Sequence, residues 1–148
     1  MIMDQVRTEL TAAMKARDSV TVDALRSIMA AVKEAEVSGA TARTLSDDEV
    51  QKVIASQAKR RVEAAEAFDG GGATDRAAKE RAELEVLERF LPKQLSAAEL
   101  ESIVESTMAE GGFSDKSQMG QAMKAVNAKV AGRADGRTVA ELVKARLA

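Results

Sequence analysis

Residues 84–100 read LEVLERFLPKQLSAAEL, and this stretch divides the chain. Leu84, Leu87 and Leu91 recur at helical spacing, so a helix runs into the stretch from its N-terminal side. Pro92 cannot continue that helix, and it pushes Leu91 out of the helical region. Ser96–Ala97–Ala98–Glu99 then has the form of a capping box, with Ser at the N-cap and Glu at N3. One helix ends and another begins within about a dozen residues, which predicts a joint at Leu91–Pro92–Lys93–Gln94–Leu95.

Working back from the joint, Gly70–Gly71–Gly72 breaks the chain and Thr74 is the expected cap of the fourth helix. A third helix starts at the capping box Ser46–Asp47–Asp48–Glu49 and carries Val50, Val53, Ile54, Val62 and Ala65 inward. A second is expected from the cap Asp18 to a C-cap at Gly39, with Leu25, Ile28, Met29 and Val32 on one face. The first carries Val6, Leu10 and Ala13–Met14 on one face. Working forward, a fifth helix with Leu100, Ile103, Val104 and Met108 stops at Gly111–Gly112. A sixth has Met119, Met123, Val126 and Val130 and closes at Gly132. Asp135 caps a last one, with Val139, Leu142, Val143 and Leu147 inside. The expectation is an all-α chain: a helical N-terminal lobe over 1–92 and a smaller three-helix lobe over 93–148.

Composition agrees. Of 148 residues, 45% are apolar but only 2% aromatic, so Leu, Val, Ile, Met and Ala must fill the core. Cys and His are both absent, which excludes disulfides, thiol nucleophiles, His bases and His/Cys metal sites. The start, MIMDQVRTEL, lacks the apolar region of a signal peptide. No apolar run nears the roughly 20 residues needed to span a bilayer. A cytoplasmic protein with no membrane contact is expected.

Catalytic chemistry finds little support. No G-x-S-x-G elbow and no P-loop occur. Ser117 and Lys116 are neighbours and so do not face each other on a helix. Asp47 and Asp48 are explained by the helix start, and Glu83, Glu85 and Glu88 read as a solvated face with Arg81 and Arg89. We expect no catalytic residue, no metal site and no cofactor.

Charge is more informative. Residues 1–112 have a net charge of −6, and residues 113–148 a net charge of +4. Lys116, Lys124, Lys129, Arg133, Arg137 and Lys144 recur through the last two helices and their turn, and are the candidate RNA-binding residues. Lys59–Arg60–Arg61 is a second basic cluster, either a solvated face or a further contact. No aromatics interleave with these cations, so recognition would rest on phosphate and shape.

Four segments resemble one known family: RSIMAAVKEAEV (26–37), SQAKRRVEAAEAF (56–68), ELEVLERFLPKQLS (83–96) and KSQMGQAMKAVNAKVAGRADGRTVAELVKARL (116–147). In order and spacing the chain is similar to stand-alone members of the GatB/YqeY family. The LPKQLS joint and the GRADG turn are the most specific parts. The glycine-rich linker at 69–75 departs from the family pattern and suggests a looser hinge between the third and fourth helices. The resemblance implies kinship with the tail of GatB, the tRNA-binding subunit of the glutamine-dependent amidotransferase. That family is labelled a carbon–nitrogen ligase with glutamine as amide donor, but its chemistry resides outside the tail. The resemblance thus implies a module for tRNA or structured RNA. The alternative is an accessory module docking on an amidotransferase or an aminoacyl-tRNA synthetase.

Overall fold

The computed structural model describes residues 1–148. It is all-α, with seven helices and no strand. They are α1 (Ile2–Ala16), α2 (Ser19–Val37), α3 (Asp47–Gly70), α4 (Thr74–Glu88), α5 (Ala97–Gly111), α6 (Met119–Val130) and α7 (Gly136–Ala145). A 3₁₀ turn, Lys116–Gln118, leads into α6. The chain forms two compact units, Met1–Leu91 and Pro92–Ala148. No helix is long and apolar enough to cross a membrane.

In the first unit α3 and α4 pair most extensively, and α2 packs against α1, α3 and α4. Val6, Leu25, Ile28, Val32, Leu45, Ile54, Leu87 and Phe90 make up most of its core. Asp18 caps α2 as expected, accepting the Thr21 N–H at 3.1 Å. Just before it Arg17 takes the left-handed conformation, and the Asp18 N–H reaches back to the Ala13 carbonyl at 3.0 Å. Ser46 caps α3 through the Glu49 N–H at 3.3 Å. Glu49 does not complete the box, because its carboxylate turns to Arg43 at 2.7 Å.

Four expectations are corrected here. Gly39 is not the C-cap of α2: that helix ends at Val37 with Ser38 in helical geometry. Glu36 steers the exit instead, its carbonyl accepting from Arg43 N–H at 3.0 Å and its carboxylate from Leu45 N–H at 3.4 Å. Thr74 is the first residue of α4 rather than its cap, since Ala73 holds the cap position and donates to the Phe68 carbonyl at 2.8 Å. The turn after α3 is thereby fixed by backbone bonding and by an ion pair of Arg81 with Asp69. Val62 is 41% exposed, because it lies off the Val50–Ile54–Ala58–Ala65 stripe. On α4 the inward arc holds Ala77, Glu83, Val86 and Leu87, while Leu84 is half-buried; meeting both α2 and α3 widens that arc.

In the second unit α5, α6 and α7 pack pairwise. The core is Leu100, Val104, Met108, Ala122, Val126, Val130, Val139, Val143 and Leu147. Met119 and Met123 are only half-buried, and Ala122 takes the central place on α6. Ser96 caps α5 at 3.1 Å and Asp135 caps α7 at 3.3 Å, both through the N3 backbone N–H. Gly112 ends α5 with φ 64°, a conformation that costs side-chain-bearing residues but not glycine. The Phe113 N–H then bonds the Met108 carbonyl at 3.0 Å, and the Phe113 ring fills the space a Cβ on Gly111 would need.

Candidate nucleic-acid interface

The second unit segregates its charge by helix. It has eight Lys/Arg and seven Asp/Glu, a net charge of +1. Four of the seven carboxylates, Glu99, Glu101, Glu105 and Glu110, lie on α5. Seven of the eight cations lie between Lys116 and Arg146, on α6, α7 and the turns beside them. The bundle is acidic along one helix and basic along the other two.

The six expected residues do not act alike. Arg133 is half-buried and turned back on its own helix. Its Nε donates to the Val130 carbonyl at 3.0 Å and its Nη2 to the Lys129 carbonyl at 2.8 Å. It therefore satisfies the open carbonyls at the negative end of α6. Lys129 is paired with Glu110 at 2.6 Å, and Arg137 with Glu141 at 3.4 Å. Lys116, Lys124 and Lys144 are exposed and have no ion-pair partner.

Position separates them further. The twelve residues of α6 extend about 18 Å. The Ala148 N–H bonds the Ser114 carbonyl at 2.8 Å, which brings the end of α7 to the start of α6. Lys116 and Lys144 thus share one end of the helix pair, with Arg133 and Arg137 flanking the turn at the other. Arg146, exposed and unpaired, joins the first group. Asp115 sits beside Lys116, and hydrogen bonding from the Ser117 backbone and then its side chain holds the carboxyl below the usual range. It stays charged and offsets part of the local positive field.

The basic cluster on α3 disperses in the same way. Arg61 points inward, Lys59 is engaged, and Arg60 alone of the three is free at the surface. Glu83 is no part of a solvated face: it is 7% exposed and pairs with Arg61. A cleft of about 360 Å³ lies in the first unit, lined by Met3, Arg7, Met29, Val32, Lys33 and Leu45 among others. Of its wall carboxylates, Asp47 accepts from Ile2 N–H and Glu36 from Leu45 N–H, while Asp4 pairs with Arg7.

The profile of the Yqey-like protein family matches residues 3–147, which takes in both units and the whole basic face. The chain belongs to that family. No curated protein matches it.

Within this Yqey-like chain two features escaped the sequence. Arg146 was passed over although it stands two residues beyond Lys144. The second is a complete capping box at the 3₁₀ turn. There Asp115 accepts the Ser117 N–H at 2.9 Å, and Gln118 accepts the Asp115 N–H at 3.1 Å. The D-x-x-Q spacing of residues 115–118 was legible and fixes how Lys116 is presented.

Proposed function

We propose that the chain is a helical RNA-binding module without catalytic residues of its own. It engages the phosphate backbone of tRNA or another structured RNA through Lys116, Lys124, Lys144 and Arg146. The reading is supported above all by unpaired lysines on α6, α7 and the turn before α6, with most of the unit's carboxylates confined to α5. The similarity to the amidotransferase tail points to the same ligand class. Arg133 serves the fold as a helix cap and contributes less to binding. The chain has no Tyr or Trp and its three Phe are buried or half-buried, so affinity is mainly electrostatic and falls steeply with salt. About four phosphate contacts give a log–log slope of roughly −3.6 on a duplex and less on single strands.

The test is a salt titration of labelled tRNA binding. Lys116→Glu, Lys124→Glu and Lys144→Glu together should nearly abolish binding while leaving helicity intact. Lys59→Glu with Arg60→Glu should matter much less. If tRNA fails to bind at low salt, or the triple variant binds like the parent, the module docks on protein instead.

A further inference from the structure

The core of the first unit contains one charged pair. The Arg61 Nη2 lies 3.2 Å from Glu83 Oε2, with the two side chains 13% and 9% exposed. The same nitrogen donates to Ser27 Oγ at 2.9 Å, and Ser27 in turn donates to the Ala24 carbonyl at 2.7 Å. The contact therefore ties α2, α3 and α4 together. The Arg61 Nε is buried without any partner.

The groups facing Glu83 come from all three helices. From α3 there is Arg61, and from α2 Asp23; α4 itself supplies Lys79 and Glu80. Lys79 makes a longer, solvent-facing pair, its Nζ 3.9 Å from Glu83 Oε1 and 3.8 Å from Asp23 Oδ2. Arg61 is the closer and the only buried cation, and two further acids oppose its pull. Burial, the largest influence, pushes the Glu83 carboxyl upward against the pull of Arg61.

We propose that the Arg61–Glu83 contact is a proton-operated latch: a proton from solvent on Glu83 releases the Arg61 guanidinium to the surface beside Arg60, while the helices stay packed. Once Glu83 is neutral, Arg61 is a buried cation without a counter-charge and with one N–H already unsatisfied. Its long apolar stem can remain on the α3 stripe while the head moves into water.

The helices stay packed for a thermodynamic reason. A carboxyl raised by folding takes its proton more readily in the folded unit than in the unfolded chain. The stability it contributes is complete below the ordinary Glu value, about 4.3, and is lost as pH rises through the raised value. Acid acts on this site locally rather than by unfolding. The outer face of α3 gains a cation as pH falls.

Carboxyl ¹³C NMR on the full chain, read with the Arg61 Nε–H resonance, tests this. Glu83 should titrate above the exposed Glu85 and Glu88. Protection of the Arg61 Nε–H from exchange, taken relative to an exposed arginine at the same pH, should be lost with the same midpoint. A Glu83 midpoint at or below that of Glu85, or an Arg61 resonance unmoved through the Glu83 titration, overturns the proposal. Glu83→Gln should show an Arg61 Nε–H unprotected relative to an exposed arginine at every pH, and its melting temperature relative to the parent should rise between pH 4 and pH 8. An Arg61 still protected in that variant also overturns it. Should the variant fail to fold, the titration of the parent decides alone.

Discussion

In the first unit a charged pair, Arg61 with Glu83, joins α3 to α4 across the core. In the second unit no charged side chain is buried, and local bonding fixes the helix ends: Ser96, the Asp115–Gln118 box, Arg133 and Asp135. Both units carry local caps, so the contrast lies in the buried charged pair that only the first unit has. Caps contribute about 1 kcal/mol each and act within a few residues. A desolvated pair is weak evidence of net stability, yet losing one partner is costly. The first unit should therefore be sensitive to single charge changes, and the second to the loss of small increments from a small total.

Separating the units gives the largest effect. Residues 1–92 should fold alone, while residues 93–148 should be marginal, since domains of about 60 residues bury a smaller share of their surface than larger ones do. Circular dichroism of the two fragments checks this. Loss of helicity in both would mean that neither set of constraints is sufficient without the other.

Next comes Arg61→Ala, expected to cost about 3 kcal/mol at neutral pH by leaving Glu83 buried with only the longer, solvent-exposed Lys79 contact. Without Arg61 the carboxyl is raised further, so the deficit should shrink as pH falls and the group takes a proton. Urea unfolding at pH 7 and pH 4 measures it. An equal loss at both pH values would assign the effect to packing of the arginine stem.

The same contrast explains what the sequence could show. The caps Asp18, Ser46, Ser96 and Asp135 were legible because a cap is decided within four residues. The all-α class was legible for the same reason, through apolar spacing. In the sequence Arg61 and Glu83 look like surface charges, because lone charged residues usually are solvated. Yet Arg61 lies on the stripe Ile54–Ala58–Arg61–Ala65, and Glu83 lies on Glu83–Leu87–Phe90, each at spacings of three and four. Opposite charges on the inner stripes of successive helices were the missed signal. Arg133 was misjudged for another reason. Its role depends on where α6 ends, and helix ends are uncertain by a residue or two.

A smaller effect sharpens the account of the second unit. Thr107 is 3% exposed and its hydroxyl has no hydrogen-bond partner. Thr107→Val removes that unpaired group with little change of shape, so stability should rise by about 1 kcal/mol. A higher urea midpoint with unchanged slope is the expected result. A fall would mean that the hydroxyl is satisfied in solution, for instance by water.

The smallest effect separates capping from charge at Asp135. This residue starts α7 by accepting the Thr138 N–H, and it lies in the turn between Arg133 and Arg137. It therefore stabilises the fold while opposing a polyanion at the same place. Asn caps as well as Asp does, and Ala does not cap. Asp135→Asn should leave stability nearly unchanged, whereas Asp135→Ala should lower it by about 1 kcal/mol. If RNA phosphate meets this end of the helix pair, both variants should bind tRNA a few-fold tighter at low salt, and the gain should fade as salt screens the turn. If binding rests on the Lys116–Lys144 end, about a helix length away, neither variant should change it. Comparing Asp135→Asn with Lys144→Glu in one salt series thus locates the contact along the bundle, because the first alters charge at one end and the second at the other.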